Sequence, residues 1–293
     1  MKLTIPKKFI LLIIVIGVLV FSSDYFLLDS SKNKFIESES QKINANLVLA
    51  RQSIEDRLRE YQSITQIISK ELSLKKLVNS NVNTKEWESE KGHSIEHFQD
   101  FCTSIKDCLK IRYINSKGDE VIRIEKKYGS FESKEVAKLN LQNIKNRTYF
   151  KSVIETQREM LYVSRLDLNI EHDKVEEPYV PTLRVGKPLY NSENKLQGVL
   201  MINFYGQKII DIIKSIDEDY TLLSEDLRYI IHPQNPAYQW GRQLDTIYRA
   251  VIHRNKDGRY IHLGHDFTKG GGNRARTVYD KIHIRAFWRE NLA

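Results

Sequence analysis

Cysteine and proline are scarce in this chain, and several enzyme signatures are missing altogether. Two cysteines in 293 residues, Cys102 and Cys108, exclude a disulfide-rich scaffold. A structural zinc site needs more ligands than this pair offers nearby. Standing six apart, they suit either a small local disulfide or two buried thiols, and spacing alone does not choose between them. No GxxxxGK[ST] loop is present, so the triple glycine at 270–272 reads as a turn and not as a phosphate cradle. No GxSxG elbow occurs, and neither cysteine sits in a nucleophile signature with a histidine partner. His262 and His265 form an HxxH lacking the glutamate and third ligand of a metal motif, so no metal is expected there. The acids Asp167, Glu171, Glu176 and Glu177 read as solvated loop carboxylates. No catalytic constellation remains, and neither an enzyme nor a cofactor is expected of this chain.

The charge balance is basic, at +8, which raises the question of nucleic acid. Residues 249–293 hold ten basic against four acidic side chains, leaving only +2 for everything before them. No RRM or zinc-finger pattern accompanies that tail, and nucleic acid is not an expected partner.

Long apolar runs are confined to the N-terminus. Lys2, Lys7 and Lys8 precede Phe9–Phe21, thirteen residues without a polar side chain, and Tyr25–Leu28 prolongs the apolar character. About twenty such residues cross a hydrocarbon core of about 30 Å. The leading lysines set the N-terminus in the cytoplasm and residues from about 30 onward outside. A cleaved signal peptide fits the same run, but Val20-Phe21-Ser22 is a poor cleavage site, so an uncleaved inner-membrane anchor is expected.

Between Ser31 and Asn79 there is neither proline nor glycine. Ile36, Ile43, Leu47, Ala50, Ile54, Leu58, Tyr61, Ile64, Ile68 and Leu72 recur at helical steps, which predicts one long amphipathic helix or two nearly collinear ones. Such a stripe suits a dimer seam, a docking face, or each in different halves. "LKIRYINSKGDEVIRIEKK" reads as a hairpin turning at Gly118. Residues 133–159 carry a helical pattern, and "MLYVSRLDLNI" reads as a strand. The proline-bearing stretch 178–188 is expected to be a loop or sheet edge. "GVLMINF" reads as a buried central strand, "YGQKIIDIIKSI" as a helix and "LRYIIHP" as a strand. "DGRYIHLGHDF" and "RTVYDKIHIRAFW" read as closing strands joined by a turn at 269–273.

The segments "IRYINSKGDEVIRI", "LQNIKNRTYF", "YVSRLDLN", "EEPYVPTLRVGKPL", "GVLMINF" and "IIHPQNPAYQWG", behind an anchor and a long helix, resemble the double Cache (tandem PAS-like) sensors of bacterial receptors. More narrowly, they are similar to the sensors of diguanylate cyclases and histidine kinases from Vibrio-like bacteria. The resemblance spans about residues 30–290. It implies an α+β fold with an N-terminal transmembrane helix, a long stalk helix and two PAS-like modules, each with an antiparallel sheet. The expected divisions are 1–29 (anchor), 30–80 (stalk helix), 81–216 (membrane-distal module) and 217–293 (membrane-proximal module, stopping before a second span). It further implies a small solute bound in the distal module, a homodimer through the stalk, and an output module absent from this chain. A different class of reading is an anchored periplasmic protein that docks a protein partner without a solute.

In such sensors the long loop before the last strands folds over the cavity, and prolines stiffen it. Asn203 on the central strand would face that cavity. In the amino-acid-binding branch an RxWY segment holds the ligand's carboxylate and an aspartate on the central strand holds its ammonium. Arg147-Thr148-Tyr149-Phe150 matches the first loosely, and Asn203 stands where the aspartate is expected. A guanidinium fork suits a carboxylate or phosphate, so an anion is among the expected solutes. Tyr162, Arg165 and Arg184 are further candidates to border the cavity.

Overall fold

The computed structural model describes residues 7–216 apart from 128, then 221–224, 228–232, 235–241 and 243–244. Residues 249–254, 260–266 and 284–285, with 7, 8 and 11, are described as backbone alone. The chain divides into two compact units, Met1–Arg51 and Gln52–Ala293.

Helix α1 runs from Lys7 to Ile68. Its N-terminal part is apolar and exposed, and α1 is long and apolar enough to cross a membrane. Farther along, Leu58, Tyr61, Thr65 and Ile68 are buried in steps of three and four, with Ile54 and Ile64 packed beside them. The outer half of the sequence stripe is thus the face that joins the core. The helix stops at Ser69. Glu71 then caps α2 (Leu72–Asn79), its carboxylate accepting from the Ser73 and Leu74 amides at 3.0 and 2.8 Å. Helix α3 (Lys85–Ser104) follows, capped by Thr84.

The body is a seven-stranded antiparallel sheet. Strands β1 (Cys108–Asn115) and β2 (Glu120–Lys126) form the expected hairpin. Gly118 sits at φ +89°, and a Cβ there would meet the Lys145 backbone at 2.7 Å. Cys102 at the end of α3 is bonded to Cys108 at the start of β1, which decides between the two readings of that pair.

Residues 133–159 depart from the helical expectation. They give β3 (Ser133–Glu135), a 3-10 turn at Lys138–Asn140 and one short helix, α4 (Thr148–Ile154). Their backbone groups bond instead to the first hairpin: Glu120 N–H to Gln142 O at 3.0 Å, and Ile144 N–H to Gly118 O at 2.8 Å. Asn143 reinforces this by bonding Asp119 and turning on its own chain.

"MLYVSRLDLNI" is broken into β4 (Tyr162–Val163), β5 (Asp167–Leu168) and β6 (Ile170–Glu171), the last pairing with β7 (Lys174–Val175) as a small hairpin. Ser164 explains the first break, since its hydroxyl accepts the Arg184 amide and donates to Arg165 O. The proline segment is loop only at residues 178–180, and β8 (Pro181–Tyr190) is a buried inner strand. Pro181 is its first residue, and Pro188 lies past the end of β4, where β8 pairs with β9 alone. Strand β9 (Leu196–Tyr205) sits at the centre, in the order β3-β2-β1-β9-β8-β4, with β5 also on β8.

One face of the sheet is apolar. Ile111, Tyr113, Ile122, Ile124, Leu183, Val185, Leu200, Ile202 and Phe204 form a core with α1, α2 and α3. Phe204 stacks on Tyr61, ring centres 4.0 Å apart, and the Tyr61 hydroxyl donates to Asp107 at 3.1 Å. The other face is apolar only where α4 covers it, around Ile114, Val199 and Met201. Gly186 is required there, since a Cβ would lie 2.6 Å from Val153.

Helix α5 (Gln207–Ile216) leaves the sheet. Beyond it, β10 (Leu222–Leu223) pairs antiparallel with β11 (Tyr229–Ile231), and β12 (Arg249–Arg254) with β13 (Tyr260–Asp266). Strand β14 (Ile284–Arg285) pairs parallel with β10. Among the described residues, the two closing strands of the sequence take different partners. The 269–273 turn and the side chains of His262 and His265 lie outside the described residues. Gln243 bonds both backbone groups of Leu168, at 2.5 and 2.9 Å.

Candidate functional site

Beyond the α4 patch, the second face of the sheet carries charge. Alternation places Lys110 and Arg112 (β1), Arg123 and Glu125 (β2), Arg184 (β8) and Asn203 (β9) on one side. The hairpin β6–β7 and helix α4 bring further side chains to it. Burying these groups is tolerable only because each base finds an acid. Lys110 pairs with Glu125 at 3.0 Å and with Glu171. Arg123 reaches Glu120 at 3.3 Å, Glu171 at 2.6 Å, and Glu125. Glu171 also accepts from Gln142 and Asn169, so one hairpin carboxylate binds four donors. Burial alone would raise the Glu171 carboxyl, but Lys110 and Arg123 outweigh it and hold the group well below the usual carboxylate range.

The second cluster lies around Asn203. Arg112, 4% exposed, donates to Glu120 at 3.1 Å and to the Asn203 side-chain oxygen at 2.8 Å. Arg184 stands beside Asn203 across β8–β9 and pairs with Asp167. Both guanidiniums lie against the Tyr149 ring, at 4.8 Å for Arg184 and 5.8 Å for Arg112. Burial pulls the Arg112 group down, yet Tyr149 and Glu120 prevail and leave it above an ordinary guanidinium. Burial pushes the Asp167 carboxyl up, and Arg184 offsets this only in part. The Nε atoms of Arg112 and Arg184 are buried and have no hydrogen-bond partner in the protein. Most buried donors do have one, and these two flank the same aromatic ring.

Of the residues singled out in the sequence, Tyr149, Arg184 and Asn203 come together here. Tyr162 joins them from β4, opposite Gly186, with Arg184 and Asp167 as electrostatic neighbours. Arg147 occupies the N-cap position of α4 without a capping bond from its side chain, and it pairs at 2.9 Å with Asp173, an exposed residue of the β6–β7 turn. Arg165 is exposed. Sequence reasoning missed Arg112, Glu120 and Lys110, although charges alternating through "CLKIRYIN" in a paired strand are a readable sign. It also misread the acids. Asp167, Glu171 and Glu176 are engaged with Arg184, Lys110, Arg123 and Asn169, because the hairpin folds back over the sheet. Glu177 alone is exposed. Among the described residues, no group of three or more potential ligands could hold a metal.

A mixed α/β body with an antiparallel sheet, one face packed on helices and the other polar beneath a folded-over hairpin, is the PAS-like sensor architecture. The family model for the sensor domain of bacterial histidine kinases matches residues 38–257, and the chain belongs to that family. Solved structures share the fold at low identity. A domain of a putative sensory box/GGDEF family protein from Vibrio parahaemolyticus superposes with a TM-score of 0.56 at 15% identity, over 76% of this chain and 89% of that one. The extracellular domain of the putative histidine kinase vpHK1S-Z8 gives 0.53 at 16%, over 67% and 69%. The sensory domain of the Campylobacter jejuni chemoreceptor Tlp3, solved with isoleucine bound, gives 0.53 at 14%, over 71% and 76%. No curated protein matches the sequence.

Proposed function

We propose that this chain is the extracytoplasmic sensor region of a single-pass receptor, and that it takes a small solute on the polar face of its first PAS-like module. One observation carries the reading: two buried arginines flank the Tyr149 ring, each with an Nε donor that no protein group satisfies. Donors of that kind, converging beside an aromatic ring, suit a carboxylate-bearing molecule. In this reading Arg184, Tyr149, Tyr162 and Asn203 line the site together with Arg112, and Arg147 stands at its rim. The isoleucine held by the chemoreceptor neighbour makes an amino acid the first solute to test. Membership of the sensor family and the apolar start of α1 support the anchored arrangement, with residues from about 30 onward in the periplasm. We keep the divisions at 29, 80 and 216 as proposed boundaries. The exposed Phe35, Ile36, Val48 and Leu49 of α1 support self-association through the stalk.

The test is a thermal-shift screen of the full chain in lipid nanodiscs against amino acids, mono- and dicarboxylates, and phosphate. A solute that binds the folded state raises its melting temperature. The expected hit contains a carboxylate, and its effect disappears in Arg184→Ala. A panel without any saturable shift overturns the reading.

A further inference from the structure

The two arginines beside Tyr149 are held in different ways. Arg112 is bonded to Glu120 and Asn203, which belong to the long strands β2 and β9. The acid on Arg184, Asp167, belongs to β5, two residues long and joined to β8 through two register pairs, Asp167↔Thr182 and Leu168↔Pro181. The acid on Arg112 is thus sealed in the sheet, with 1% of its side chain exposed, whereas the acid on Arg184 is 36% exposed. Asp167 touches Arg184 through Nη1, so the side edge formed by Nε and Nη2 has no bond from Asp167, and Nε has none at all. That edge presents two parallel donors, the arrangement that matches both oxygens of a carboxylate.

We propose that Asp167 is an internal substitute for a solute carboxylate on Arg184: a carboxylate-bearing solute binds by taking its place, so Asp167 determines which solutes the pocket accepts. This rests on the reading of the polar face as the solute site. Charge balance drives the exchange. Within the ion pairs, Lys110, Arg112, Arg123 and Arg184 are matched by Glu120, Glu125, Asp167 and Glu171, four bases against four acids, while the half-buried Glu176 accepts from Asn169. A further buried carboxylate would be uncompensated, and an unpaired buried charge is costly. Release of Asp167, whose side chain is already 36% exposed, keeps the face neutral. A zwitterion meets the same condition differently, because its ammonium faces the displaced Asp167.

Acetate tests this directly, since it is the Asp167 side chain as a free molecule. Asp167→Ala and Asp167→Asn are made in the full chain in nanodiscs and melted in sodium acetate against sodium chloride, at equal ionic strength and fixed pH. Both variants lack the competing charge. Each should show a saturable rise in melting temperature, half-complete at an acetate concentration at least about tenfold below that of the parent. The double variant Asp167→Ala/Arg184→Ala, which removes both members of the pair, should lose the response. The asparagine variant keeps the side-chain volume and serves if the alanine variant does not fold. Equal acetate responses in parent and variants, or a response that survives loss of Arg184, overturn the proposal. If a solute in the screen still binds through Arg184, that failure discards the substitute role of Asp167 and leaves the solute site standing.

Discussion

Glu171→Gln asks whether charge holds the β6–β7 hairpin over the sheet. The carboxylate accepts from Lys110, from Arg123 at 2.6 Å, and from Gln142 and Asn169 at 3.0 Å each. Glutamine keeps the shape and one acceptor but turns an NH2 group toward those donors. Two charge-assisted bonds weaken, each worth about 1.5–3 kcal/mol. Lys110 and Arg123 retain Glu125 and Glu120, so the net loss is about 2–3 kcal/mol. The hairpin can open while the apolar face stays packed, which makes hydrogen exchange the right assay. The Asn169 and Glu176 amides, bonded to Val180 O and Asn169 O, should exchange about 30- to 150-fold faster in the variant. Acid should have the same effect on the parent. Glu171 titrates below its unfolded value, so its contribution is complete above about pH 4.3 and is lost only as the pH falls further. Exchange across 167–177 within about threefold of the parent would refute a charge clamp.

Arg147→Ala should cost less than about 1 kcal/mol in a melt, because its partner Asp173 is 91% exposed; a loss above about 2 kcal/mol would place Arg147 in the packed structure. Tyr61→Phe keeps the stack on Phe204 but deprives Asp107 of a donor, so denaturant titration should show a loss of about 1–2 kcal/mol, and an unchanged midpoint would contradict that bond. Cys102 and Cys108 should resist alkylation in the unfolded protein until a reductant is added; modification without reductant rules out the bridge. A periplasm-activated reporter fused after Ala293 should be active with the protein in the membrane fraction, and recovery of a soluble form beginning near residue 23 would replace the anchor by a signal peptide.

Periodicity was legible wherever one strong rule operated alone. The stripe from Ile54 to Ile68, the hairpin at Gly118 and the central strand through Gly198 to Phe204 follow from spacing and turn chemistry. Errors arose where distant partners overrode local preference. Residues 133–147 lost a weak helical pattern to bonds with the β1–β2 turn, and β8 accommodated its prolines at a strand start and where its second neighbour had ended. The site was half legible. Asn203 and Arg184 are candidates through the resemblance to Cache sensors. Arg112 and Asp167 are not, because a charge in a strand looks solvated until the hairpin that covers it is placed.

Neighbouring residues on β1, β8 and β9 belong to different chemical environments. Arg112, Arg184 and Asn203 look toward the polar cluster, while Ile111, Val185 and Phe204, each one position away, are sealed against the helices. Inheritance can treat these two sets separately. If the polar side is the solute site proposed above, drift at its alternate positions would change what is recognised and leave untouched the interleaved positions that pack on the helices. The two-residue repeat of a strand thus interleaves two sets of positions, each free to change without the other, within the same ten residues of β9.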